Sequence, residues 1–205
     1  MQTALVTGAS SFLGYHVVRR LNELGVRPRV LELREAKLGP LDRLNVTRCD
    51  GHLDDPQAVA AACKGADAVF HLAFKVSAGG GQALLDEMRR VNVDGTLRLL
   101  DTAAAAGVPR AVVSSSALAV GVNRRAQPLD ESASWDEHAF HFPYALMRRE
   151  AEREALAKAK PGFAVMAVSP AFTMGPDDPV ADRKTIGERL LNSRVGALLA
   201  YLKTL

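Results

Sequence analysis

Short apolar runs alternate with longer stretches of helical period along most of the 205-residue chain. The runs predict strands over residues 3–7, 29–33, 45–49, 67–73, 110–116 and 163–169. Apolar positions at helical spacing predict helices over 12–24, 55–65 and 82–106, and a further helix that begins at Pro143. Continuous apolar strands that alternate with helices indicate an α/β protein, in which a parallel sheet is covered on both faces.

The composition fits one main folded unit and argues against two classes of partner. Hydrophobic residues make up 48% of the chain, charged residues make up 24%, and the net charge is only +3. Because the arginine pairs are spread along the chain, no basic block indicates nucleic-acid binding. No apolar run approaches the roughly 18 to 20 residues that cross a bilayer. We therefore expect neither a nucleic acid nor a membrane as a partner.

Cysteine and histidine usage favours a reducing compartment and no metal. The two cysteines, Cys49 and Cys63, do not form a CxxC pair, and the chain opens on an apolar strand without a signal sequence. The histidines have none of the spacings typical of a metal site. These features predict a cytoplasmic protein without a bound metal.

The segment TGASSFLG, residues 7–14, joins the first predicted strand to the first predicted helix. Gly8 permits a tight turn there, and Gly14 lets the helix approach the sheet closely. The free amides at the start of the helix, around Phe12 and Leu13, face an incoming pyrophosphate. A glycine pattern in this context predicts a dinucleotide-binding loop.

This loop resembles the TGxxGxxG segment of the extended short-chain dehydrogenase/reductase family. The resemblance covers the chain from residue 1 to about residue 200. It implies a Rossmann-like, doubly wound parallel sheet and an NAD or NADP cofactor. Ser11 stands where the family has its middle glycine. Its side chain either donates a hydrogen bond to the diphosphate or pushes the backbone away from it.

The end of the second strand decides which dinucleotide binds, since an acidic side chain there accepts from a ribose hydroxyl and a basic one accommodates a 2′-phosphate. This chain offers both, Glu32 within the strand and Arg34 just after it. Glu32 suits NAD, and Arg34 suits NADP. The sequence leaves both cofactors open.

Two further segments resemble cofactor contacts of the same family. GHLDDP, residues 51–56, is similar to the family's GDLxDP, whose aspartate and leucine contact the adenine; His52 and Leu53 take those positions here. An imidazole can stack on or hydrogen-bond to a base but offers no carboxylate. HLA, residues 71–73, matches the segment in which small residues let the backbone pass close to the cofactor, which implies contacts from Leu72 and Ala73.

A tyrosine and an arginine at helical spacing carry the candidate chemistry. Residues four apart share a helix face, so Arg148 can lie beside Tyr144. A nearby cation lowers the pKa of a tyrosine from its usual value of about 10, which suits it to acid–base work. In the family resemblance, Asn92, Ser116, Tyr144 and position 148 correspond to the catalytic tetrad, with Ser116 as the catalytic serine.

Arg148 departs from the family, which has lysine at this position. Arginine keeps the charge, but its planar fork is larger and rarely loses its proton. We therefore expect reduced activity, and we expect Arg148→Lys to raise it. Three hypotheses remain open: a working oxidoreductase on a carbonyl or alcohol carbon, a sugar epimerase or dehydratase with tightly held NAD, and a dinucleotide-binding protein without turnover.

The last part of the chain resembles reductases of the dihydroflavonol type. VSPAFTMGPDD, residues 168–178, keeps the proline and the GP turn that follow the sixth strand in those proteins, and Pro170 is a further expected cofactor contact. We divide the chain into a dinucleotide-binding domain, 1–168, and a partial substrate-side segment, 169–205, and we expect the family's C-terminal portion to be mostly absent. Helices 82–106 and 143–160 correspond to those that pair in family homodimers.

Overall fold

A six-stranded parallel sheet forms the centre of the molecule in the computed structural model, which describes residues 1–36, 38–76, 81–121, 128–133, 143–171, 173 and 175. The strands are β1 (Thr3–Thr7), β2 (Arg27–Glu32), β3 (Thr47–Asp50), β4 (Ala68–His71), β5 (Arg110–Ser114) and β6 (Ala164–Val168). Their order is β3-β2-β1-β4-β5-β6, which confirms the predicted doubly wound sheet.

Helices connect the strands, so each crossover returns the chain in the same direction. They are α1 (Phe12–Glu23), α2 (Pro56–Cys63), α3 (Gln82–Arg89), α4 (Gly95–Ala105), α5 (Ala117–Val120) and α6 (Pro143–Leu156). A short 3₁₀ helix covers Gly39–Arg43. None of the helices that the structure describes is long and apolar enough to span a bilayer.

The alternation of side chains along the strands builds two apolar layers, one on each face of the sheet. On one face, Ala4 and Val6 of β1 pack with Val18 and Leu21 of α1. On the other face, Leu5 of β1 belongs to a larger cluster that includes the residues Val59, Val69, Leu99, Leu100, Val113 and Phe163. These two layers fix the strands and therefore the positions of the loops at their carboxyl ends.

The predicted helix 82–106 is continuous, but it contains a π turn at Arg90–Asp94 between α3 and α4. Apolar periodicity did not reveal this turn, because a π turn adds one residue without ending the helix. Asn92, at the centre of the turn, is fully buried. The predicted strand 110–116 is also shorter in the structure, since β5 ends at Ser114 and Ser116 caps α5.

The order of the strands reverses between β1 and β4, and this opens a crevice beyond their carboxyl ends. The loops after all six strands reach this same edge, because the strands are parallel. Of the predicted segment 169–205, residues 169–171, 173 and 175 lie within the described part of the chain, and Pro176 lies outside it.

Candidate active site

The phosphate loop begins directly after β1 and depends on two glycines. Gly8 has a φ of +70°, and a Cβ there would lie 2.5 Å from the backbone nitrogen of Ala73. A Cβ on Gly14 would lie 2.0 Å from the carbonyl oxygen of Gly8. Both distances are far below van der Waals contact, so the turn and the packing of α1 against it require glycine at these two positions.

Ser11 is the N-cap residue of α1 and has an ordinary extended backbone, with a φ of −75°. Its hydroxyl donates to the carbonyl of Gly8 at 2.7 Å and accepts from the amide of Gly14 at 3.1 Å. The hydroxyl hydrogen is therefore used inside the loop. The amides of Phe12 and Leu13 belong to the first turn of α1 and remain as the donors available to an anion.

Glu32 lies at the carboxyl end of β2 and is only 9% exposed. Its carboxylate accepts from the amide of Ser10 at 2.9 Å and from the Ser10 hydroxyl at 3.2 Å, one bond on each oxygen. Arg34 points elsewhere, since its side chain is 87% exposed and its Nε lies 3.7 Å from the Asp50 carboxylate. Glu32, unlike Arg34, is therefore built into the edge of the phosphate loop.

His52 and Leu53 follow β3, as predicted, but they differ in exposure. His52 is partly exposed, and its Nδ1 accepts from the amide of Asp54 at 3.1 Å. Leu53 is 6% exposed, packs in the core against Gly95, and accepts a hydrogen bond from Arg98 through its carbonyl at 2.9 Å. The ring of His52 is thus accessible to a base, whereas the Leu53 side chain is part of the core.

A buried histidine links the segment after β4 to its neighbours. The hydroxyl of Thr96 donates to the carbonyl of Asn92 at 2.6 Å, so it accepts from Nε2 of His71 at 2.7 Å. Nδ1 of His71 then accepts from the Thr7 hydroxyl at 2.6 Å, and the Thr7 oxygen accepts from the amide of Ala73 at 3.4 Å. Each hydrogen has one acceptor only if His71 is neutral with its proton on Nε2.

Burial lowers the pKa of His71 to about 3, and the positive charge of Arg148 acts in the same direction. The histidine is 2% exposed, so a charged imidazole would lose its hydration and would also lose its acceptor on Nδ1. His71 is therefore a fixed, neutral part of the site.

Asn92 lies in the π turn and acts on the backbone of Lys75. Its Oδ1 accepts from the Lys75 amide at 2.7 Å, and its Nδ2 donates to the Lys75 carbonyl at 2.9 Å. Lys75 also forms an ion pair with Glu87 of α3. The family resemblance implied that Asn92 supports the active site indirectly. In the structure, Asn92 holds the backbone of the segment that follows β4.

Tyr144 and Arg148 lie on one face of α6, and the arginine contacts three groups. Its Nε donates to the Tyr144 hydroxyl at 3.2 Å, and its Nη1 donates to the carbonyl of Ser114 at 2.6 Å. Its Cζ lies 3.5 Å from the centroid of the Phe74 ring. The rings of Phe74 and Tyr144 meet edge to face at 5.2 Å between centroids. Burial lowers the pKa of Arg148, and the nearby Tyr144 oxygen partly opposes that effect.

Three serines follow one another at the end of β5 and have different roles. Ser114 supplies the carbonyl that accepts from Arg148. Ser115 is buried, and its Oγ has no hydrogen-bond partner among the residues that the structure describes. Ser116 is the N-cap of α5, where its Oγ accepts from the amide of Leu118 at 3.2 Å. No acceptor for the Ser116 hydroxyl hydrogen lies within the described part of the chain, so this hydrogen can be donated to a ligand.

A small cavity of about 10 Å³ lies beside Arg148, which is about the volume one water molecule needs. His71, Phe74, Thr96, Ser115, Arg148 and Glu152 line it. Ser115, whose hydroxyl has no partner among the described residues, is thus one of the residues around a space for a single water molecule.

The segment after β6 also reaches this edge of the sheet. The carbonyl of Pro170 accepts from the amide of Ala117 at 3.0 Å, which ties this segment to the start of α5. Gly175 lies close to the phosphate loop, since a Cβ there would be 3.4 Å from the Phe12 ring. The loops after β1 and β6 thus approach each other across the crevice.

The structure brings most of the predicted residues to one edge of the sheet, while the Arg34 side chain points to solvent. Sequence reasoning did not find Ser10, His71 or Phe74 as parts of the site. His71 and Phe74 flank predicted contact residues, but only the fold places Thr7, Thr96 and Arg148 around them. Ser10 lies within the glycine loop, and its contact with Glu32 requires the pairing of β1 with β2.

Comparison with known proteins agrees with this architecture. The model of the NAD dependent epimerase/dehydratase family matches residues 4–200. Sterol demethylase protein B of Methylococcus capsulatus is 32% identical over 98% of this chain, and 2-alkyl-3-oxoalkanoate reductase of Stenotrophomonas maltophilia is 35% identical over 85% of it. A candidate dihydroflavonol 4-reductase of Synechocystis sp. is 32% identical over 97%. The chain spans 60%, 52% and 57% of the lengths of these three relatives, respectively.

Solved structures show the same fold. The crystal structure of gox2253 superposes with a TM-score of 0.80 at 30% identity, over 94% of this chain and 57% of that one. MoeE5 in complex with UDP-glucose and NAD superposes with a TM-score of 0.75 at 28% identity, over 92% of this chain and 60% of that one. The family match, the relatives and the sheet order agree, and the chain belongs to the NAD dependent epimerase/dehydratase family.

Proposed function

We propose that the chain forms the cofactor-binding and proton-transfer part of an NAD(P)-dependent oxidoreductase of the extended short-chain dehydrogenase type. Its reaction moves a hydride between the nicotinamide and a carbonyl or alcohol carbon of a small molecule. The observation that carries this proposal is the hydrogen bond from Arg148 to the Tyr144 hydroxyl at the carboxyl edge of β5, 3.2 Å long. A reductase among the relatives supports the reaction class.

The residues around the phosphate loop fit a dinucleotide. Gly8 and Gly14 have no side chains, which lets the loop pack closely against the neighbouring backbone. The amides of Phe12 and Leu13 offer hydrogen-bond donors to the diphosphate. Leu72 and Ala73 pass close to Gly8, and His52 offers its ring to the adenine.

We propose NAD rather than NADP as the preferred cofactor. Each Glu32 oxygen accepts one hydrogen bond from Ser10 and keeps a lone pair for a ribose hydroxyl. A 2′-phosphate at this position would face that carboxylate, and the exposed Arg34 guanidinium is drawn toward Asp50.

The bound nicotinamide supplies the hydride donor or acceptor. Tyr144 holds the proton that moves to or from the substrate oxygen, and Arg148 keeps a positive charge beside that hydroxyl. Ser116 donates its hydroxyl hydrogen to the same substrate oxygen, while the amide of Leu118 holds the Ser116 oxygen in place. Asn92 and Pro170 hold the segments after β4 and β6 in place.

The test begins with calorimetric titration of the chain with NADH and, separately, with NADPH. We expect NADH to bind more tightly. Tyr144→Phe is then compared with the wild type on a panel of carbonyl compounds, with Tyr15→Phe as the matched control. We expect Tyr144→Phe to lower kcat by about 10² to 10⁴ and to leave NADH binding intact. Equal turnover in the two proteins would contradict the role of Tyr144.

A nucleotide-sugar epimerase or dehydratase is the second candidate, since the similar MoeE5 is seen with UDP-glucose and NAD. Such an enzyme holds NAD through its cycle, so the purified chain would carry nucleotide absorbance in the near ultraviolet before any is added. A binding protein without turnover would instead bind NADH equally well in the wild type and in Tyr144→Phe and would convert no compound in either form.

We propose in addition a cytoplasmic homodimer that pairs through helices 82–106 and 143–160, and a division of the chain at residue 168. Both cysteines are free thiols, which suits a reducing compartment. α6 packs against α4 and the π turn of the helix 82–106, and the ion pair between Arg89 and Glu150 also joins it to α3, so these helices lie next to each other. Sedimentation analysis tests the dimer, and a monomer at micromolar concentration would exclude it.

A further inference from the structure

Phe74 lies three residues beyond the end of β4 and stands against the Arg148 guanidinium, which donates to the Tyr144 hydroxyl. Neither end of this short segment is free to move. The amide of Ala73 donates to Thr7, and Asn92 binds both the amide and the carbonyl of Lys75. The backbone on each side of Phe74 is therefore fixed, and the ring is presented in a defined place.

The guanidinium of Arg148 has edges that donate hydrogen bonds and flat faces that do not. Its edges are used by Tyr144 and by the Ser114 carbonyl. One face lies on Phe74 at 3.5 Å from Cζ to the ring centroid, well inside the range of a cation–π interaction. An aromatic ring is the side chain that stabilises this face, because its surface is flat and negative.

We propose that Phe74 is a positioning residue of the proton-transfer site: its ring supports the face of the Arg148 guanidinium and thereby keeps Nε–H on the Tyr144 hydroxyl. The effect of Phe74 on turnover rests on the proposed function. Its effect on the placement of Arg148 does not depend on that function. Phe74 touches Tyr144 as well, edge to face, so one ring orients both members of the pair.

A consequence concerns the arginine itself. The site is shaped for a planar cation, because a lysine ammonium has no flat face to lie on Phe74 and no separate edges that reach the Tyr144 hydroxyl and the Ser114 carbonyl together. We therefore expect Arg148→Lys alone to lower activity, which is the opposite of the expectation from the sequence. A lysine at position 148 should support turnover only when the Phe74 ring is removed as well, in Phe74→Ala/Arg148→Lys.

The direct test follows the Nε–Hε signal of Arg148 in ¹H–¹⁵N nuclear magnetic resonance spectra of the whole chain. Its absence from Arg148→Lys identifies the signal. A ring at this distance displaces the signal from the usual arginine position, and we expect Phe74→Leu to return it toward that position and to speed its exchange with water about tenfold. Phe74→Tyr keeps a ring and should keep both properties.

Phe70→Leu is the matched control, because Phe70 belongs to β4 itself and packs against the apolar layer around α1. It loses the same ring without touching Arg148. Should Phe74→Leu fail to fold, Phe74→Met replaces it. An Arg148 signal that does not move in Phe74→Leu or Phe74→Met, or that moves equally in Phe70→Leu, would overturn the proposal.

The kinetic test uses the same variants with NADH and a carbonyl compound that the wild type reduces. We expect Phe74→Leu to lower kcat about tenfold with little change in KM, and Phe74→Tyr to retain kcat. Phe74→Ala/Arg148→Lys should exceed Arg148→Lys alone in kcat/KM, which shows coupling between the two positions. If the wild type turns over no compound, the proposed function fails while the resonance measurement still decides the role of Phe74.

Discussion

The two halves of the candidate site accommodate unusual residues in different ways. Around the phosphate loop, Ser11 stands where the family resemblance implies a glycine, and its hydroxyl bonds to Gly8 and Gly14 within the same loop. On α6, Arg148 stands where the resemblance implies a lysine, and it contacts Phe74 and Ser114, which are far away in sequence. The first change is absorbed by local hydrogen bonds, and the second depends on the packing of β4, β5 and α6.

The largest expected effect tests how rigid the phosphate-loop half of the site is. In Gly14→Ala the new Cβ would lie 2.0 Å from the carbonyl oxygen of Gly8, so α1 must move away from the loop. We expect the free energy of unfolding to fall by about 3 kcal/mol or more and NADH binding to be lost. Gly95→Ala is the matched control, since a Cβ there meets Leu53 at 3.2 Å. Urea denaturation and calorimetry measure both, and equal losses in the two variants would contradict a special role for Gly14.

A second test uses the pH dependence of stability to examine the other half of the site, in which residues far apart in sequence meet. The pKa of His71 is about 3 in the folded protein and about 6.5 in the unfolded chain, so only the unfolded chain takes up a proton as the pH falls below about 6.5. Stability from the neutral histidine is therefore present above pH 6.5 and is lost toward pH 3. Between pH 7 and pH 5, we expect the free energy of unfolding to fall by about 2 kcal/mol because of this histidine.

His71→Asn should remove this dependence, and His52→Asn, which changes a partly exposed histidine, should retain it. Denaturant midpoints at several pH values between 5 and 7 measure the slope. The same slope in wild type and His71→Asn would show that the histidine is not held neutral.

A third test concerns the choice of cofactor at the edge of the phosphate loop. Glu32→Gln removes the negative charge beside the ribose and keeps an oxygen for Ser10. We expect the preference for NADH over NADPH to fall about tenfold, which corresponds to about 1.4 kcal/mol. Arg34→Gln is the control, because its side chain lies in solvent. A preference that changes only in Arg34→Gln would transfer the role to the arginine.

The smallest expected effect lies with the serine itself. Ser11→Ala loses the N-cap of α1, which typically costs about 1 kcal/mol, whereas Ser11→Gly costs only a few tenths because glycine also suits an N-cap. Thermal unfolding measures the difference between the two variants. If Ser11→Ala is as stable as the wild type, then the hydroxyl does not hold the loop together as its bonds indicate.

This difference between the halves also explains what the sequence could predict. The order of strands and helices and the glycine loop follow from periodicity and from neighbouring residues, and the structure has them where we expected. The tyrosine and arginine follow from their spacing on one helix. The Phe74 stack and the His71 hydrogen bonds could not be predicted, because they join residues from separate strands and helices whose approach depends on the whole sheet.

The π turn at Arg90–Asp94 joins α3 to α4. The five residues of the π turn wind through about the angle that four residues of an α-helix cover, so removing one residue would make the segment regular α-helix and leave α3 and α4 in phase. The ion pairs of Arg89 with Glu150 and of Lys75 with Glu87 would keep their alignment, but the wide turn that places the Asn92 side chain against the Lys75 backbone would be lost. The geometry of the site therefore depends on the number of residues in this helix as well as on their identity.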